Sequence, residues 1–229
     1  MTALADAGDV ATAGRLRIVL LAEELALIAI DPETGRHKLG TRDGLKACLA
    51  ALLLAEVAIE GDDVDGRAPA LTAAAEVLAE KRGKVKSALS QMSRGLDQRL
   101  GVGTWDAVLG GLVAAGAVAS DEGGIRRRYT VLDLATRDSI VERLRAAAAS
   151  DGPMPARTAV LLSMTGPAQL LELVSPDRST RKHARKRIDG ALDSTSLEAL
   201  GTSVRKVLSD AAAGAAVAAS VAALGATSS

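Results

Sequence analysis

Residues 44–59 read GLKACLAALLLAEVAI, an almost uninterrupted apolar run of helix-forming residues closed by Gly61, where a left-handed C-terminal cap is expected. A run of this length and composition predicts a helix buried on nearly all sides, the centre of the fold. Upstream, residues 15–30, RLRIVLLAEELALIAI, place Ile18, Leu21, Leu25 and Ile28 at helical spacing and predict a helix with an extended end. Pro32 and Gly35 in DPETG then make a turn, after which His37 to Leu39 can return beside Ala26 to Ile30 as a small hairpin. Downstream, GDDVDGRAP is a polar loop, and residues 70–100 are helical with interruptions near Gly83 and Gly95.

Thr104 is the expected N-cap of TWDAVLGGLVAAG, a helix ending at Gly116. AVAS, DEGG and IRRRYTVLD then read as two short strands around a Gly-rich turn. A helix follows over 136–149, capped by Asp133 or Thr136, with Ile140, Leu144 and Ala147 or Ala148 on its inner face. DGPMP ends it, and the segments 156–165, 169–174, 179–192 and 196–224 all read as helical. The fold class is mainly α: one globular helical domain over residues 15–210 with a protruding β-hairpin after a central helix, a flexible N-terminus over 1–14, and an Ala-rich helix or tail over 211–229.

Composition narrows the function classes. Hydrophobic residues make up 48% of the 229, yet Phe is absent and Trp105 and Tyr129 are the only aromatics, so the core is built from Leu, Val, Ile and Ala. The 28 basic and 28 acidic residues cancel, which removes any general attraction to nucleic acid or membrane and requires an anion site to be local. One cysteine, Cys48, forms no internal disulfide and belongs to no metal-binding spacing, consistent with a reducing, cytoplasmic setting and no structural zinc. The acidic N-terminus has no secretory signal pattern.

No catalytic constellation is legible. His37 and His183 have no nucleophile or carboxylate at an interpretable spacing. Glu23 and Glu24 are adjacent, point in different directions on a helix, and fit a salt-bridging surface or helix-end role better than metal ligation. The pairs Gly110-Gly111 and Gly123-Gly124 make neither a dinucleotide fingerprint nor a P-loop. The expectation is a binding module, not an enzyme, with no cofactor and no metal.

Two basic features remain. Arg126, Arg127 and Arg128 lie on the hairpin, where charge on a solvated edge strand accounts for them. In RSTRKHARKR, helical spacing puts Arg178, Arg181, Lys182 and Arg185 on one face, a positive stripe suited to nucleic acid or anionic headgroups, or a solvated face balanced by Asp177 and Asp189.

The order of these features resembles the Golgi phosphoprotein 3 family over about Leu16 to Leu208. The pieces that carry the resemblance are LLAEELALIAIDPETGR, GLKACLAALLLAEVAIEG, LGGLVAAGAV with YTVLDLATRDSIVERLR, and ARTAVLLSMTGPAQLLELV followed by TRKHARKRIDGAL. The resemblance implies a helical domain with a protruding hairpin, peripheral membrane attachment, and recognition of phosphatidylinositol 4-phosphate by a basic pocket. It implies, for eukaryotic relatives, a Golgi adaptor role.

The family's basic residue in its GLRGC-like helix start matches Lys46 in GLKAC, which keeps the charge without the bidentate geometry of Arg. The family's pocket tryptophan has no counterpart between Leu39 and Gly44, and its paired basic residues fall near Trp105 to Val108, where this chain has none. Arg42 can partly substitute, with Arg94 and Arg99 as accessory contacts from a neighbouring segment. The expected function is therefore reversible attachment to the inner face of a membrane through anionic phospholipid headgroups at Lys46 and Arg42. The alternatives are protein interaction or self-association through the hairpin, and a winged-helix-like nucleic-acid binder. The last is disfavoured because TWDAVLGGLVAAG carries no Arg, Lys, Asn or Gln to read base edges.

Overall fold

The computed structural model describes residues 20–36, 42–60, 68–94, 103–121 and 128–191. Helix α1 spans Leu21–Ala29, α2 Arg42–Glu60, α3 Pro69–Glu80, α4 Val85–Arg94 and α5 Thr104–Ala114. Strands β1, Val118–Asp121, and β2, Arg128–Val131, follow, and then α6 over Leu134–Ala149, α7 over Ala156–Thr165, α8 over Leu171–Val174 and α9 over Arg181–Ala191. The domain is mainly α with one small antiparallel hairpin.

The apolar run of residues 44–59 is the organising element. α2 packs against α1, α3, α4, α5 and α7, and Leu49, Leu52, Leu53 and Leu54 are fully buried in it. Each such leucine contributes roughly 1.5–3 kcal/mol on leaving water, so α2 alone accounts for much of the core. Every residue of α1 is buried, because α2, α5, α6 and α7 all pack against it. On the far side α9 closes over α6, α7 and α8.

Local chemistry sets the joints. Asp31 Oδ1 accepts the N–H groups of Glu33 at 2.9 Å and Thr34 at 3.1 Å, which folds the turn after α1. Gly35 sits there at φ +64, and its carbonyl accepts Tyr129 N–H at 3.0 Å, docking the turn on β2. A Cβ on Gly35 would come within 2.7 Å of Tyr129 O, so glycine is required both by its conformation and by this approach. α5 ends in a paired Schellman arrangement, Ala117 N–H to Leu112 O at 3.0 Å and Gly116 N–H to Val113 O at 2.9 Å, with Gly116 at φ +72. The hairpin pairs Val118 with Val131 and Asp121 with Arg128, and Trp105 meets Tyr129 edge to face with ring centroids 6.4 Å apart.

One expected cap is different. Gly103, not Thr104, occupies the N-cap of α5, and Thr104 is the first helical residue. Its buried hydroxyl donates instead to Met92 O at 2.6 Å, tying α5 to the last turn of α4. Asp133 does cap α6, accepting Thr136 N–H at 2.9 Å; hydrogen bonding from the Thr136 side chain, and then from its backbone N–H, holds the Asp133 carboxyl below the usual range. The expected return strand at His37 to Leu39, the loop 61–67, the break at Gly95, the helix over 196–224 and both terminal segments lie outside the described residues.

Candidate functional site

Arg42 is the first residue of α2 and Lys46 stands one turn further on. Residues four apart share a helix face, so the two positions lie on one face near the start of α2, toward the positive end of the helix dipole. Lys46 is half-buried. Arg94 is the last residue of α4, the helix that packs along α2. Arg99, the other accessory contact, lies outside the described residues. At the position where the resemblance places paired basic residues, Trp105 is instead buried and engaged with Tyr129. That stretch serves hairpin docking.

The adjacent acids Glu23 and Glu24 are not on the surface, as the sequence suggested; they are 2% and 8% exposed. Their helix-end role holds. Glu23 Oε2 reaches back to accept Leu20 N–H at 3.2 Å. Glu56, fully buried on α2, accepts Leu21 N–H at 2.6 Å. Two backbone donors at the start of a helix sealed from water are thus satisfied by carboxylates, which also favour the positive helix end.

Glu56 and Glu24 each also meet an arginine. Arg157 Nη1 donates to Glu56 Oε1 at 2.5 Å, and Arg143 pairs with Glu24. Burial raises the Glu24 carboxyl above its ordinary value, opposed by Arg143 and then by Arg157. The cluster joins α1, α2, α6 and α7, and the side chains of Arg143 and Arg157 are 43% and 36% exposed. Sequence reading missed this network. The available signal was Glu56, one acid inside the apolar run LLLAEVAI.

The other features resolve differently. Arg181 donates to Ser175 O and Pro176 O and pairs with Glu172, while Arg187 donates to Gly152 O at 2.7 Å. These two arginines bond backbone carbonyls in the connections that follow α8 and α6, leaving Arg178, Lys182, Arg185 and Lys186 as the exposed part of the basic run. His183 lies 3.8 Å from Asp151 and is exposed. Arg128 is exposed on the hairpin, and Arg126 and Arg127 lie outside the described residues. The buried thiol of Cys48 is pushed up to about 12 by desolvation. Among the described residues, no cluster of three or more metal-ligating side chains occurs, and no helix is long and apolar enough to cross a membrane.

The family model described as Golgi phosphoprotein 3 (GPP34) matches residues 21–221. No curated protein matches the chain.

Proposed function

This chain belongs to the Golgi phosphoprotein 3 (GPP34) family, and from that membership we propose that it is a peripheral membrane-binding module, not an enzyme, that recognises anionic phospholipid headgroups. The lipid suggested by family resemblance is phosphatidylinositol 4-phosphate. The observation that carries the reading is the placement of Arg42 and Lys46 one turn apart at the start of α2. A phosphate bound there would be stabilised by cationic residues on this face and by the helix end.

Each cation near an anionic surface contributes roughly 1 kcal/mol, so attachment is reversible and weakens as salt rises. Co-sedimentation with neutral and anionic vesicles across a salt series tests this. Retention on anionic vesicles that declines with salt supports the reading; indifference to lipid charge or to salt removes it.

A second reading, assembly through the hairpin, is favoured by Leu132, just after β2, and Leu134, the first residue of α6, at 57% and 48% exposure. Sedimentation equilibrium distinguishes it: self-association that Leu132→Asp abolishes supports assembly, and a monomer at every concentration opposes it.

A further inference from the structure

A cleft of about 520 Å³ opens between the end of α6, the α8 to α9 connection and the first turn of α9. These elements are separate from the N-terminal turn of α2. The floor is apolar and made of small residues, Ala148, Val174 and Ala184, all buried. Short side chains at these positions leave the volume open, and volumes of this order accommodate small organic ligands.

The walls are polar and organised. Arg145 lines the cleft with its guanidinium fixed by two bonds, Nε to Leu173 O at 3.0 Å and Nη1 to Glu142 at 2.6 Å. Ser175 Oγ and Thr180 Oγ1 share a hydrogen bond of 2.8 Å on the opposite side. His183 and Asp177 complete the polar lining. α9, an eleven-residue helix, begins here, adding the positive end of its dipole. Arg178 and Lys182 stand exposed just outside the lining.

This combination selects a ligand class. Arg145, His183 and the α9 terminus favour a compact anion, and a guanidinium held in place suits a phosphoryl group. Asp177 repels a bare anion but accepts hydroxyl donors, as do Ser175 and Thr180. The volume leaves room for more than a phosphate. We propose that this cleft binds a phosphorylated polyol, its phosphoryl group toward Arg145 and His183 and its hydroxyls toward Asp177, Ser175 and Thr180. The polyol phosphate could be a free metabolite or a lipid headgroup, and the site does not depend on Lys46.

The test is amide chemical-shift mapping of the full chain, carrying Lys46→Glu so that α2 cannot contribute. The titrants are glycerol 3-phosphate, inorganic phosphate, and vesicles of phosphatidylglycerol or phosphatidylcholine. Ala149→Leu narrows the cleft from an exposed position, and Arg145→Gln removes its fixed charge; a retained amide spectrum verifies that each variant folds. Saturable shifts over residues 181–184 with glycerol 3-phosphate, stronger than with inorganic phosphate, support a soluble ligand. The loss of one charged contact should weaken binding about tenfold in Arg145→Gln, with loss also in Ala149→Leu. The same response to phosphatidylglycerol vesicles alone supports a lipid headgroup. No response to any titrant, or shifts undiminished in Ala149→Leu, overturns the proposal.

Discussion

Arg157 Nη1 donates to Glu56 Oε1 at 2.5 Å, across the contact between α7 and α2, while the other oxygen of that carboxylate accepts Leu21 N–H at 2.6 Å. One buried side chain thereby fixes the start of α1 and joins an early helix to a late one. Its partner Arg157 is partly exposed, so water can hydrate the arginine if the acid is lost, but it cannot reach the buried Leu21 N–H. Glu56→Ala should therefore cost about 2–4 kcal/mol through the orphaned donor and the void. Glu56→Gln, which keeps an acceptor and the shape, should cost about half as much. Urea unfolding measures both; equal losses would mean that the carboxylate charge facing Arg157, which both variants remove, matters rather than the acceptor or the packing.

Glu24 makes the wild type pH-sensitive in an unusual direction. Its folded carboxyl is raised from 4.5, mainly by burial, so between 4.5 and that raised value the folded state holds more protons than the unfolded chain. Its contribution is fully present below 4.5 and is lost as pH rises through the folded value. The difference in unfolding free energy between wild type and Glu24→Gln should thus shift against the wild type as pH rises from 4 toward neutrality. A difference that is flat with pH, or of opposite slope, would show that Arg143 and Arg157 outweigh the burial.

A Cβ on Gly111 would overlap Glu23 Oε1, so the buried Glu23 side chain would have to shift and disturb its bond to Leu20 N–H, whereas a Cβ on neighbouring Gly110 would meet nothing within 4 Å. Gly111→Ala should destabilise by roughly 1–3 kcal/mol through overpacking. Gly110→Ala should be neutral or stabilising by up to about 1 kcal/mol, because alanine favours the helix. Thermal unfolding of the pair checks this, and a similar midpoint for both variants would contradict the close approach of α1 and α5.

Cys48 is buried with its thiol pushed up to about 12. The native protein at neutral pH should react with a thiol reagent only through unfolding, at a rate that follows denaturant. Rapid stoichiometric labelling in native buffer would place Cys48 outside the core.

Much of this architecture was legible because it rests on periodicity. The apolar run around Leu49 to Leu54 predicted the central helix, residues 156–165 form a helix with the expected bounds, and the Gly116 stop and following alternation predicted the hairpin. What periodicity does not encode is the partner of a polar group. Thr104 looked like a cap because a hydroxyl before an apolar stretch usually is one, yet Gly103 frees its hydroxyl to bond across to Met92. Glu23 and Glu24 read as acids of a salt-bridging surface or a helix end, and the helix-end role was legible, but their neighbours in sequence say nothing of Arg143, which lies over a hundred residues away. Arg42 and Lys46 could be placed on one helical face from spacing alone; the burial of Trp105 against Tyr129 could not.

The most direct measurement of the central claim compares wild type with Lys46→Glu in co-sedimentation with anionic and phosphatidylinositol 4-phosphate-containing vesicles, neutral vesicles serving as background. The account predicts that wild type pellets with the anionic vesicles and that reversing this one charge removes most of the bound fraction while leaving unfolding unchanged. Equal sedimentation of the two proteins, or no sedimentation of wild type, would contradict headgroup recognition at the start of α2.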